Sequence, residues 1–271
     1  MFFQRALVTL ILGPLALVVI YFGGLVYFVP VALILLLATV EYARMMRLLK
    51  RSISLWILLP AVLFQWLAAQ WPSLGAWFPA LAVGVFLTMI YALWLYERHK
   101  SDCVTADWMT MIGGVIILGW LGSHFFLIRS LPYDAWQWTM LAMLGTWIAD
   151  SAAYLVGKFL AGKIILGRHP LSPRLSPNKS IEGYIGGIIF GVLTIIIIAY
   201  YLKFSLVAAF ILAILVSAVS PLGDLAISLL KRETNIKDSG SLFPGHGGAL
   251  DRIDSLIWSV TMAYYLALLF G

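Results

Sequence analysis

Charge is scarce in this sequence. Lys, Arg, Asp and Glu make up 11% of 271 residues, against 62% hydrophobic residues. A soluble domain of this length cannot hide that much apolar surface, which excludes a water-soluble enzyme or binding module and leaves a polytopic membrane protein. Cysteine is nearly absent. Cys103 stands alone, so an intrachain disulfide framework is excluded. With one Cys and 4 His, the chain has no Cys/His cluster of the kind a zinc site needs. Internal repeats are also lacking, which counts against an inverted-repeat transporter. The net charge of +6 comes with no soluble basic domain, so it is a sign of membrane orientation and anionic lipid, not of nucleic acid.

What the chain does have is a series of long apolar runs. A membrane-crossing helix needs about 20 mostly apolar residues. By that rule there are nine spans, at roughly 6–23, 24–41, 54–71, 76–96, 106–128, 135–157, 183–202, 205–230 and 253–270. Arg5 precedes the first run as in a signal peptide, but no small-residue cleavage site follows, so the run reads as a retained helix. The expected fold is all-α, with the N-terminus cytoplasmic and the C-terminus outside. That arrangement places all but Arg129 and Lys203 of the 18 Lys and Arg residues on the cytoplasmic side.

The two halves differ. Residues 1–130 carry almost no polar groups inside spans and read as a scaffold. The exception, His124, is expected to bond a neighbouring helix and not to act as a ligand. Residues 131–271 read as the catalytic half, with cytoplasmic loops at 158–182 and 231–252. Two acids, Asp150 and Asp224, fall inside its spans, where a carboxylate is costly and suggests function. Each lies roughly 10–12 Å short of the cytoplasmic helix end. Ser217, Ser220, Asp224, Ser228 and Lys231 form one helical stripe, with Pro221 inside it expected to kink the helix. Thr146, Asp150 and Tyr154 make a shorter stripe. A polar seam between helices is the competing explanation of both. Gly183, Gly187 and Gly191 predict close helix packing and leave a homodimer open. Ser180 is placed to cap the helix they begin.

Charge concentrates between Ser228 and Asp254, which hold Lys231, Arg232, Lys237 and Arg252, Glu233, Asp238, Asp251 and Asp254, and His246. Mixed carboxylates and cations beside a glycine-rich backbone suit polyphosphate held with a divalent metal. The pattern Ser228, Lys231-Arg232, Lys237-Asp238, His246-Gly247-Gly248 and Asp251-Arg252-Ile253-Asp254 resembles the signature of the phosphatidate cytidylyltransferases, or CDP-diacylglycerol synthases. SPNKSIEG at 176–183 is similar to that family's SPxKTxEG element, and DSAAYLVGK from Asp150 to Lys158 to another of its elements. The resemblance covers the C-terminal half. Ala249 and Ser180 depart from it, and neither departure removes a charge.

The resemblance implies a reaction in which CTP and phosphatidate give CDP-diacylglycerol and pyrophosphate, with Mg2+ as cofactor and room for a second cation. It implies Asp224 and Asp251 as metal-holding catalytic residues, Asp254, Asp150 and Asp238 as further metal candidates, and Lys231 and Lys237 as catalytic cations. Lys179, Ser176, Ser228, Arg232, Arg252, His246, Gly247 and Gly248 are the substrate-binding candidates, with Gly245 lending backbone room. The expected location is a bacterial plasma membrane with the site facing the cytoplasm. Two alternatives stay open: a CTP-dependent polyprenol- or phytol-type lipid kinase, and an ion-coupled transporter.

Overall fold

A computed structural model describes residues 13–162, 169–241 and 247–270. Arg5, Lys163, Arg168, Gly245 and His246 lie outside the described residues, as does the start of the first expected span. The helices are α1 (Gly13–Phe22), α2 (Gly24–Leu48), α3 (Leu55–Gln70), α4 (Trp77–Glu97), α5 (Val104–Ser130), α6 (Ala135–Phe159), α7 (Ile181–Tyr201), α8 (Leu206–Glu233), α9 (Leu250–Ile253) and α10 (Leu256–Phe270). Strands β1 (Pro170–Ser172) and β2 (Ser176–Ser180) pair antiparallel before α7.

The protein is an all-α polytopic membrane protein. Among the described residues, seven helices are long and apolar enough to cross a membrane, counting α9 and α10 together as Leu250–Phe270. Within the two other expected spans the described residues form shorter apolar helices, α1 and α3. At 16 residues, α3 is about 24 Å long, less than a hydrocarbon core of about 30 Å. Leu33, Phe86, Ile197 and Leu222 are among many large apolar side chains left exposed on the helices, a surface suited to lipid. Gly23 and Gly24 both take positive φ (64° and 54°), which ends α1 and starts α2 in a new direction.

The chain forms two compact units, Met1–Leu131 with Leu230–Ile253, and Pro132–Leu229 with Asp254–Gly271. In the first, α3 packs on α4 and on a π-helical stretch of α5 at Val115–Leu121. A π-turn exchanges i→i−4 bonds for i→i−5, and two of its carbonyls take donors from α3. Gln65 Nε2 reaches Val115 O at 3.4 Å and Trp66 Nε1 reaches Leu118 O at 2.9 Å. The Tyr42 hydroxyl ties α2 to α5 through Thr110 O at 2.9 Å. His124 is buried, with Nδ1 bonded back to the carbonyls of Trp120 and Leu121 in its own helix, and edge-on to Trp77 and Trp120.

The second unit is organised by α6 against α7. The glycines on α7 make this approach possible, as the sequence pattern predicts. A Cβ on Gly187 would sit 2.9 Å from Ala149 O, one on Gly183 2.6 Å from Ala153 O, and one on Gly191 would strike Ser217 of α8. These glycines therefore serve packing within one chain. Ser180 caps α7 by accepting from Gly183 N at 3.1 Å. α8 continues through Pro221. Side-chain hydroxyls reach carbonyls in the preceding turn, Ser220 Oγ to Val216 O at 2.5 Å and Tyr184 to Ala218 O at 2.6 Å. Thr146 of α6 donates to Ser259 Oγ of α10 at 2.6 Å.

Candidate active site

Four of the charged residues singled out above form two lysine–aspartate pairs, one in each compact unit. In the second unit, β2 ends on Lys179 and Ser180, and the Ser180 cap fixes where the strand turns into α7. Lys179 Nζ lies 2.6 Å from Asp224 Oδ2, and both side chains are about a third exposed (29% and 32%). Ser228, one turn further along α8, donates to Asp224 Oδ1 at 3.2 Å. The turn before Asp224 meets the chain at Asp254. A Cβ on Gly223 would collide with Asp254 O and lie 2.5 Å from Trp258 Cδ1. Only glycine allows that approach.

In the first unit the pair is largely shielded from solvent. Lys231 Nζ donates to Asp251 Oδ1 at 2.7 Å, with side chains 14% and 7% exposed. Asp251 Oδ2 accepts from Ser239 N at 2.8 Å, Ser239 Oγ at 3.0 Å and Gly248 N at 3.0 Å. Gly247 has φ +76, and a Cβ there would come 2.8 Å from Asp251 Oδ2, so this turn requires glycine. The Gly248 amide thus donates to Asp251.

A further carboxylate belongs to this cluster. Glu41 of α2 accepts from Ala249 N (2.9 Å, Oε1), and its Oε2 lies 2.9 Å from Leu250 N and 2.8 Å from Ser239 Oγ. The single Ser239 hydroxyl proton is shared between Glu41 and Asp251. The sequence reading missed Glu41 because it falls at the margin of an expected span. A signal was available, since Glu41 is the sole acidic residue among the first 96.

The other candidates are placed less closely. Asp254 Oδ1 accepts from Ser255 N at 2.7 Å. Ser176 opens β2, half-buried. Arg232, Lys237, Asp238 and Arg252 are exposed, as is Asp150 on α6, whose stripe neighbour Thr146 is buried instead. Tyr154 accepts from Lys158 at 3.4 Å.

Among the described residues no three His, Cys, Asp or Glu are grouped to hold a metal. An all-protein cage is therefore not the fit. A Mg2+ bound jointly with substrate phosphates needs only one or two carboxylates. Asp224 meets that need, being partly exposed. Asp251 has Oδ2 filled by three donors, so Oδ1 is the atom it can offer, once Lys231 moves to another anion.

The sequence matches the model of the cytidylyltransferase family over residues 3–270. It is similar to the phosphatidate cytidylyltransferase of Bacillus subtilis (strain 168), with 33% identity over 206 residues covering 74% of each chain. It is similar to that of Staphylococcus haemolyticus, with 32% identity over 191 residues and 69% of each chain. The match to the Synechocystis sp. phosphatidate cytidylyltransferase is 30% identical over 303 aligned positions, covering 98% of this chain and 96% of the relative. With the family model matched over residues 3–270 and a 30% identical relative aligned across 98% of the chain, the chain belongs to the cytidylyltransferase family.

Proposed function

We propose that this protein transfers the cytidylyl group of CTP to phosphatidate, releasing pyrophosphate and forming CDP-diacylglycerol, at the cytoplasmic face of a bacterial plasma membrane. The observation that carries this reading is the Lys231–Asp251 pair, built into the segment that bears the family signature. The names of the relatives supply the substrates. The topology adopted is the nine-span arrangement with the N-terminus inside, which puts the 158–182 and 231–252 loops on the side where CTP is available.

The lipid phosphate is the nucleophile. Its second pKa is about 6, so near neutral pH it attacks without a strong general base. A bond forms between a lipid phosphate oxygen and the α-phosphorus of CTP, and the bond from that phosphorus to the bridging oxygen of pyrophosphate breaks. The protein's task is to position two polyanions and offset their charge. Lys179 and Lys231 each neutralise a carboxylate in the ligand-free protein. When phosphate arrives they turn to its oxygens, and Asp224 and Asp251 are left to hold cations. Mg2+ bound there supplies charge neutralisation on the phosphates. Arg232, Lys237 and Arg252, exposed and basic, bind the triphosphate or the lipid headgroup. Ser228 adds a hydroxyl beside Asp224, and Ser176, at the start of β2, is a further phosphate-binding candidate. Asp254, Asp238 and Asp150 are supporting carboxylates, Gly247 keeps the signature turn tight, and His246 is a further substrate-binding candidate.

The test uses detergent-purified protein with phosphatidate, labelled CTP and Mg2+. Lipid-linked CMP together with pyrophosphate is the expected result. Release of CDP would make the protein a lipid kinase, and absence of turnover would remove the enzymatic reading.

A further inference from the structure

We propose that Glu41 is a positioning residue for cytidylyl transfer, setting the turn that carries Asp251. This rests on the reaction proposed above and deepens it. Glu41 stands in an apolar helix, where a carboxylate must find donors to be tolerated. Its three donors all come from the signature segment, and its amide partners are 208 and 209 residues away along the chain. Ala249 and Leu250 are 0% and 1% exposed and Ser239 is 4% exposed, so water does not satisfy these groups. The two amides open α9, whose first N–H groups have no partner within the helix. Glu41 supplies the missing acceptors from another helix.

The same turn is held from its other side by Asp251, which takes Gly248 N and Ser239 N. The Ser239 hydroxyl joins the two carboxylates directly. A Cβ at either Gly240 or Gly248 would strike the Glu41 carboxylate, so the packing leaves it no room to swing away. Glu41 thus acts through the orientation of Asp251. Glutamine at this position has the right volume but presents an NH2 to one of the two amides, turning an acceptor into a donor against a donor.

Purified wild type is assayed first; if it does not transfer CMP, the proposed reaction fails and Glu41 is not the issue. Given an active wild type, Glu41→Gln is expected to lower kcat/KM for CTP about 10²-fold, the loss that a roughly 1 Å misplacement brings. Hydrogen exchange of peptides spanning 247–254 is expected to quicken in Glu41→Gln without ligand, with the remaining helices unchanged. Ser239→Ala should lower turnover less. The double variant should be no worse than the worse single, because both act through Asp251. Wild-type turnover in Glu41→Gln, unchanged exchange at 247–254, or losses that multiply would each overturn the proposal. If Glu41→Gln does not accumulate as folded protein, Ser239→Ala decides alone, and full activity there would also overturn it.

Discussion

Removing either half of the buried Lys231–Asp251 pair should abolish cytidylyl transfer, but at very different structural cost. Asp251 takes four donors: Lys231 Nζ, Ser239 N, Ser239 Oγ and Gly248 N. Asp251→Ala strands an ammonium that is only 14% exposed, together with two amides. Stripping one partner from a buried ion pair costs about 3–5 kcal/mol. Lys231→Met leaves Asp251 with three of its donors and an apolar stem of similar length in place of lysine. The cost there is held to one lost charge-assisted bond, about 1.5–3 kcal/mol, because three donors still hold the carboxylate. The double variant Lys231→Met with Asp251→Ala should recover part of the single Asp251 loss, since no charge is left unpaired. Unfolding in mixed micelles, followed by tryptophan fluorescence, measures all three, and transfer of labelled CMP is read on the same samples. Equal destabilisation by Lys231→Met and Asp251→Ala, or strict additivity in the double variant, would refute the reasoning.

The Lys179–Asp224 pair is a third exposed, so Asp224→Asn should change stability by under about 1 kcal/mol while transfer falls to background; a folded variant that keeps full rate would remove Asp224 from the metal-holding role. Chelation of divalent cations should stop turnover and leave helical circular dichroism unchanged, because among the described residues no cluster of ligands depends on a metal for its fold. Gly187→Val places a branched side chain where a Cβ alone would lie 2.9 Å from Ala149 O; overpacking of this kind costs about 1–3 kcal/mol or more, visible as a lowered unfolding midpoint.

Much of the architecture was legible because it depends on local properties. Seven of the nine apolar runs, the Gly183–Gly187–Gly191 spacing and the Ser180 cap are met among the described residues, since each concerns one helix and its immediate neighbour. The stripe from Ser217 to Lys231 pointed to Asp224 and Ser228, which do meet at one turn's spacing. Harder to see was the hairpin that brings Lys179 to Asp224, because two strands of three and five residues carry little periodic signal. Thr146 and Asp150 share a sequence spacing but not an environment, one being buried on Ser259 and the other exposed. Gly248 was expected to offer its amide to phosphate, whereas the fold spends that donor on Asp251.

Glu41 shows where the boundary lies. By itself the sequence determined membrane residence, helical class, family and the set of acids and cations available, because hydropathy, charge placement and motif spacing are properties of short stretches of chain. Only the tertiary structure decided which lysine neutralises which aspartate, and that a carboxylate from the apolar N-terminal segment closes the signature turn. The Glu41 contacts join residues some two hundred positions apart. Their formation depends on which buried donors packing has cut off from water, and no local pattern records that.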